Sequence, residues 1–391
     1  MARLRSRDLF PTDAPLPAAQ LIGRTDVVTS LTDALTQGMH QVVLGPRRTG
    51  KTSVCRAALE QLDAAGAYVV SIDLFALANR AELATALVQA AIANRGPLAR
   101  GAQRLRAVGQ ALTGLAGATL TAKLKAELGE DIEIAYTPAL ANRDPDRSLD
   151  YALRLLQRIA EADDVQLVVF IDEFQELAHP RAPYGDPDAL TKQMRTVLQD
   201  SSRVVALFSG SIDHLMRDLF VPERRAFYRF GTTRRLPPIP PAAWHDGLRA
   251  RYAEDSVRCT VASLDRLLER SGGHPRSTLL IAQHAHLSII TDEAHELTMA
   301  AVEEGFYSAL AGDAIGHGSQ MEQIRALGAA AVEVVRRIAG GARPYAGSGK
   351  PRPTERALTA LLNAGLLEKH ARGEYELTDP LFAHYVRNLG R

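Results

Sequence analysis

Cysteine is nearly absent. The 391-residue chain has two, Cys55 and Cys259, which are too few and too far apart for a disulfide framework or a cysteine-based metal site. Cys55 reads as a small core residue of a buried helix. An excess of either charge is also missing. Lys and Arg number 46 against 45 Asp and Glu, a net charge of +1, which argues against a whole-protein polyanion binder but leaves room for a local basic patch. Long apolar runs are lacking too, since none approaches the ~20 residues that span a bilayer. The N-terminus, MARLRSRDLFPTDAPLP, is basic without the apolar centre of a signal peptide. It reads as a flexible arm over residues 1–20, and the location expected is the cytoplasm. His284, His286 and His295 do not fall at structural zinc spacings and read as ordinary helix positions.

What is present is an ordinary globular composition, 46% hydrophobic and 23% charged, long enough for roughly two or three domains. Short, continuous apolar runs mark strands at Gln41–Leu44, Tyr68–Leu74, Gln166–Ile171 and Val204–Phe208, as expected of strands buried on both faces. Helical stretches separate them at Asp26–Gln37, Thr52–Ala64, Arg80–Ala93, Ser148–Ala162 and Ala189–Gln199. This alternation predicts an α/β domain with a parallel sheet over 21–240. Residues 96–146 are too long for a simple connection. Their alternating pattern predicts an inserted helix and β-hairpin. The segment LPPIPPAAW, ending at Trp244, marks a boundary to a helical domain over 241–317, read as helices at about 242–253, 260–270, 275–290 and 291–311. The glycine-rich stretch Gly312–Gly318 then precedes a last unit, 318–391. There a helix over Met321–Ala339, a helix over Thr354–Ala364 with Thr354 as N-cap, and a hairpin of Leu366–His370 with Glu374–Thr378 form a winged-helix pattern.

The chemistry concentrates in VLGPRRTGKTS, residues 43–53. It matches G-x-x-x-x-G-K-[ST] through Gly45, Gly50, Lys51 and Thr52, and it lies between a strand and a helix. Glycines let the loop Pro46–Ser53 curl so that its N–H groups, including those of Arg47, Arg48 and Thr49, point at phosphates at a helix N-terminus. Lys51 sets a compact charge at the β and γ phosphates, and the Thr52 hydroxyl suits Mg²⁺. A second element, LVVFIDEFQEL, puts Asp172 and Glu173 at the end of an apolar strand, the rim where parallel sheets bind ligands. Asp172 is expected to hold Mg²⁺ and Glu173 to orient or deprotonate a water. In VVALFSGS, Ser209 or Ser211 stands at the next strand tip, within reach of the γ-phosphate or the water.

These motifs, with Leu21-Ile22-Gly23-Arg24, Gly272-Gly273-His274-Pro275-Arg276 and the terminal LLNAGLLE…YELTDPLFAHYV, resemble the AAA+ superfamily of P-loop ATPases. The similarity is to prokaryotic members near the STAND and origin-recognition branches, and it extends over nearly the whole chain after residue 20. It implies an adenine pocket between Leu21, Ile22, Gly23 and the His274-Pro275 turn. It also implies Arg276 as a lid residue facing the γ-phosphate, and an arginine supplied by a neighbouring subunit. Arg224, Arg225 and Arg229 are candidates for that arginine, and the resemblance favours Arg229.

Between 320 and 391 eleven Lys or Arg face seven Asp or Glu. Lys350, Arg352, Arg356, Lys369 and Arg372 form a modest basic surface, so the last unit is expected either to dock on the nucleotide domain or to bind duplex DNA. The reading is an ATP- and Mg²⁺-dependent ATPase that acts as a conformational switch or assembly factor, with a homo-oligomer or a protein as partner and no membrane. The alternatives are an ATP-regulated DNA-binding protein and a small-molecule kinase. The kinase is disfavoured by a glutamate placed to handle water.

Overall fold

The computed structural model describes residues 3–94, 144–179, 183–211, 213–346, 351–371 and 373–389. The helix and hairpin expected within 96–146 therefore fall almost wholly outside the described residues, as do Lys350 and Arg372.

Five strands form one parallel sheet: β1 (Gln41–Leu44), β2 (Tyr68–Asp73), β3 (Leu167–Asp172), β4 (Val204–Gly210) and β5 (Thr232–Arg235), in the order β2-β3-β4-β1-β5. Successive side chains point to opposite faces. Val169 and Ile171 thus join the core beneath helices Arg80–Ala93 and Pro145–Ala162, while Val168 and Phe170 join the core beneath helices Thr25–Thr36 and Lys51–Ala64. Burial on both faces is why these strands lack an alternating pattern. β5 was not expected. Its sequence, TTRR, lies at the sheet edge and is largely exposed, so it carries no apolar run. The helix Asp213–Phe220 was likewise unexpected. Helix Pro145–Ala162 begins three residues earlier than expected, with Asp144 accepting the Arg147 N–H and Pro145 in the first turn.

Beyond the Pro-rich segment come helices Pro241–Glu254, Val261–Ser271, Pro275–Thr291 and Met299–Gly312. The expectation of helices alone fails here. β6 (Arg258–Cys259) and β7 (Glu296–Leu297) pair in parallel, and the latter occupies part of what was read as a helix over 291–311. The glycine-rich stretch 312–318 is no spacer, because helix Ala314–Ala326 starts directly after Asp313. The long helix expected over 321–339 breaks at Gly328 (φ 108°), a left-handed position that suits glycine, and resumes as Ala329–Ala339. Helix Pro351–Asn363 starts before Thr354, which is buried within it and is not its cap. β8 (Leu367–Ala371) and β9 (Glu374–Leu377) pair antiparallel ahead of helix Pro380–Asn388.

The N-terminal arm is not free. Leu9 and Phe10 are buried in the core of helices 241–312, with the Phe10 ring 4.7 Å from that of Tyr252. Arg3 donates to the Ala294 carbonyl at 2.6 Å and pairs with Asp255 at 3.2 Å. His286 bridges Ser6 (2.9 Å) and Asp255 (3.1 Å). Arg251 donates to the carbonyls of Leu9 and Gln20. Among the described residues no helix is long and apolar enough to cross a membrane.

Candidate functional site

Strand order brings the two acidic residues to the glycine loop. The loop leaves the C-terminal end of β1, and β4 lies between β1 and β3. Leu44 pairs with Gly210, and Ile171 with Phe208. The tip of β4 therefore lies between the loop and Asp172.

Within the loop Gly50 adopts φ 90° as it enters helix Lys51–Ala64, a conformation that costs L-residues roughly 1–2 kcal/mol. Gly45 is buried, and a Cβ there would press on Thr49 Oγ1 at 3.3 Å. Lys51 is 5% exposed and donates from Nζ to the Pro46 carbonyl at 2.7 Å. Burial pushes its pKa down to about 8, against the opposing pull of Glu173 and Asp172. A buried ammonium resting on one carbonyl is under-solvated, and this favours an anion beside it.

Thr52 Oγ1 donates to Asp172 Oδ2 at 2.7 Å, and Ser209 donates to Asp172 Oδ1. One hydroxyl and one carboxylate, both hard oxygen ligands, thus converge at the head of the helix, a donor set suited to Mg²⁺. No group of three or more His, Cys, Asp or Glu side chains able to hold a metal occurs among the described residues, so a cation here would take protein oxygens from Thr52 and Asp172 and the remainder from water and phosphate. Glu173 sits at φ 51°, a left-handed residue directly after the strand. Ser211 Oγ donates to Glu173 Oε2 at 3.1 Å, and Gln175 Nε2 donates to the same oxygen. The two serines at the β4 tip are divided, Ser209 serving Asp172 and Ser211 serving Glu173. Gln175 was not singled out in the sequence, where it looks like one more polar residue of DEFQEL.

The loop faces a cleft of about 470 Å³ lined by Arg48, Thr49, Gly50, Lys51, Thr52, Ser53 and Glu173. Its far wall is apolar, with Leu21, Ile22, Ile239, Trp244, Pro275 and Leu279, the character of a pocket for a flat base. Gly23 (φ 60°) has no room for a side chain, since a Cβ would stand 2.8 Å from Ala243 Cβ. Ile22 and Pro275 thus line the cleft as expected, and Gly23 sets its backbone. Residues 11–16 close the cleft as a strap, pinned where the Leu16 N–H donates to Ser53 Oγ at 2.9 Å. No sequence signal had pointed to this strap. Arg24 is buried, and burial pulls its pKa down to about 10. It donates to the Pro237 carbonyl at 2.5 Å and the Thr49 carbonyl at 3.4 Å, tying the loop to the segment after β5.

Other expected residues stand elsewhere or are engaged by other partners. Pro46 lines a separate cleft of about 390 Å³, together with Ser211, Arg217, Glu368 and Lys369. Arg47 is exposed, and its carbonyl lies 3.2 Å from His274 Nε2. Arg48 (φ 63°) pairs with Asp379 at 3.7 Å. Arg276 lines the main cleft, but its guanidinium is engaged by Asp313 at 2.6 and 3.2 Å. Arg225 pairs with Asp188 and Asp218. Arg229 is exposed with its guanidinium 5.1 Å from the Tyr228 ring centroid, and it does not line the cleft of its own chain.

Residues 20–208 match the AAA ATPase domain family. The Walker-type ATPase of Pyrococcus abyssi superposes with a TM-score of 0.68 at 17% identity, covering 97% of this chain and 99% of that one. The ORC2 protein of Aeropyrum pernix, in its ADPNP–ADP complexes, gives 0.61 at 16% identity, covering 98% and 96%. Cdc6p of Pyrobaculum aerophilum gives 0.50 at 13% identity, covering 98% of each chain. No curated protein matches the sequence. Identities this low establish the fold alone. The family match takes in residues 20–208, just under half of the chain, and the chain as a whole has an AAA+-type P-loop fold.

Proposed function

We propose that the protein binds ATP with Mg²⁺, hydrolyses its terminal phosphoanhydride bond, and uses the cycle as a conformational switch or assembly factor. The convergence of Lys51, Thr52, Asp172 and Glu173 at one end of the sheet carries this reading. Loop N–H groups and Lys51 bind the β and γ phosphates. Thr52 and Asp172 would hold Mg²⁺, which when bound neutralises charge on the phosphates. Glu173 orients the attacking water and accepts its proton. Ser209 keeps Asp172 aimed, and the apolar wall with the strap receives the base. Arg276 and Arg229 are proposed as charge-stabilising groups, the first from the same chain after leaving Asp313, the second from a neighbouring subunit.

The contacts of the last unit support the switch. Arg48 in the loop pairs with Asp379, and Arg235 at the end of β5 pairs with Glu368 of β8. Phosphate arriving at the loop competes for Arg48, so loop occupancy and docking of the last unit are linked. The Aeropyrum protein is described in complexes with ADPNP and ADP, in keeping with an adenine nucleotide here. A second reading, duplex DNA binding, rests on Arg352 and Arg356, exposed with Thr359 and Asn363 along helix Pro351–Asn363. In that reading the unit from 314 to 388 works as a winged helix, in a protein of the cytoplasm.

The test is steady-state ATP hydrolysis by purified protein with and without duplex DNA, with Glu173→Gln as the blank. Mg²⁺-dependent turnover above the blank supports the ATPase. Turnover no greater than the blank overturns it, and stimulation by DNA adds the second reading to the first.

A further inference from the structure

We propose that Gln175 is a positioning residue for hydrolysis, holding the Glu173 carboxylate so that one oxygen is anchored and the other is left for water. This rests on the ATPase reading and deepens it. Gln175 is fully buried, two residues beyond Glu173 in the short helix Phe174–Ala178 that follows β3. A buried side-chain amide must satisfy both its ends. Its oxygen accepts the Ser211 N–H at 3.0 Å. That backbone donor fixes which way round the amide lies, because a reversed amide would set N–H against N–H and oxygen against carboxylate. The nitrogen is thereby directed at Glu173 Oε2, and it also reaches Ser211 Oγ at 3.2 Å.

Ser211 Oγ donates to the same carboxylate oxygen, which completes a closed ring of three side chains. Both donors fall on Oε2. Among the described residues no hydrogen bond reaches Oε1, the oxygen left to take a proton. The neighbourhood is built to keep this arrangement. Phe174, fully buried, packs at a tilt against Phe208 (4.4 Å) and stacks on Phe227 (5.7 Å), fixing the segment between Glu173 and Gln175. Gly210 leaves the space that the amide uses, since a Cβ there would stand 2.8 Å from Gln175 Oε1.

The residue type suits the task. An amide donor steadies a carboxylate without bringing a full charge, whereas an ammonium or guanidinium would pull its pKa down and weaken it as a base. The amide also joins the acidic residue to the tip of β4. A γ-phosphate that draws the Ser211 hydroxyl leaves Gln175 as the remaining donor on Glu173 Oε2.

The experiment compares wild type, Gln175→Met and Gln175→Glu for melting temperature, ATP affinity and turnover across pH 5–9. Methionine keeps approximate volume and removes the donor. The expected result is unchanged ATP affinity with kcat lowered tenfold or more. Glutamate keeps the shape and adds a second carboxylate, so the acidic limb of the kcat profile is expected to move to higher pH. A purely structural role would lower the melting temperature without moving that limb. If Gln175→Met fails to fold, Gln175→Glu and Ser211→Ala carry the test, the latter lowering kcat while ATP still binds. Folded variants with wild-type kcat and an unmoved limb overturn the positioning role while leaving the ATPase in place. Wild-type turnover no greater than that of Glu173→Gln overturns both.

Discussion

Thr52 and Asp172 stand 120 positions apart in the chain, and the threonine hydroxyl donates to the carboxylate at 2.7 Å. Without a cation the two oxygens satisfy each other; a cation bound there would take both as ligands. Asp172→Asn removes the charge that favours a dication while keeping the shape. ATP is expected still to bind that variant, but with an affinity no longer strengthened by Mg²⁺, and turnover is expected to fall at least a hundredfold. Calorimetric titration of ATP in Mg²⁺ and in EDTA checks the first outcome, and phosphate release the second.

Lys51 makes a prediction about pH. Its folded pKa lies near 8, below the ordinary 10.5 of the unfolded chain, because burial disfavours the ammonium. Between those values the unfolded chain binds more protons, so this group's contribution to stability rises with pH across that window. Its cost is fully present below pH 8. The full swing is about 3 kcal/mol, at ~1.36 kcal/mol per pKa unit. In Lys51→Met the window closes: the variant, free of nucleotide, is expected to melt above wild type at pH 7, with the gap narrowing towards pH 10. ATP is expected to lose affinity for the same variant, and wild type to take up protons as ATP binds near pH 8, read from the buffer dependence of the binding enthalpy.

Phe10 reports on the strap. It is fully buried against Tyr252, so Phe10→Ala is expected to cost about 3–5 kcal/mol of stability and to speed nucleotide release by loosening residues 11–16. Thermal melting and stopped-flow release of a fluorescent nucleotide measure the two effects. A free arm would give neither.

Arg48 and Asp379 are unequal partners. The Arg48 side chain is 57% exposed, so Arg48→Ala is expected to cost less than about 1 kcal/mol. Asp379 also accepts the N–H groups of Leu381 and Phe382 at the head of helix Pro380–Asn388, and Asp379→Ala is expected to cost about 1–2 kcal/mol more through the lost cap. Both variants are expected to make proteolysis of the last unit less sensitive to nucleotide.

Arg229 lies outside its own cleft. Arg229→Ala is expected to bind ATP normally and to lower turnover only at protein concentrations where the chain assembles. A rate indifferent to the substitution at every concentration removes it from the reaction.

The sequence made the centre of the site legible because its chemistry is contiguous: a loop of eight residues, and two acidic residues at the end of an apolar run. The cleft walls depend on distant segments. Leu16 meets Ser53, and Arg24 meets Pro237, through tertiary contact alone, so no local pattern announces them. Gln175 is silent for the same reason, since its meaning lies in the Ser211 N–H across the strand gap. β5 escaped notice because an exposed edge strand needs no apolar run, and the expected arm hid two apolar residues, Leu9 and Phe10, too few to form a periodic signal. Glycines misled in both directions: Gly316 and Gly318 sit inside a helix, whereas Gly328, with φ 108°, breaks one.

The strap has a consequence for how the molecule is made. Arg3 meets Asp255 across 252 positions, so residues 3–16, made long before position 255, wait for most of this chain before their partners exist. Closing so long a loop is entropically slow. The sheet and its phosphate loop can fold while synthesis continues, leaving a cradle with an open side. The wall made before the sheet is then the last to be put in place, and a nucleotide met during synthesis enters before the door that will enclose it has been hung.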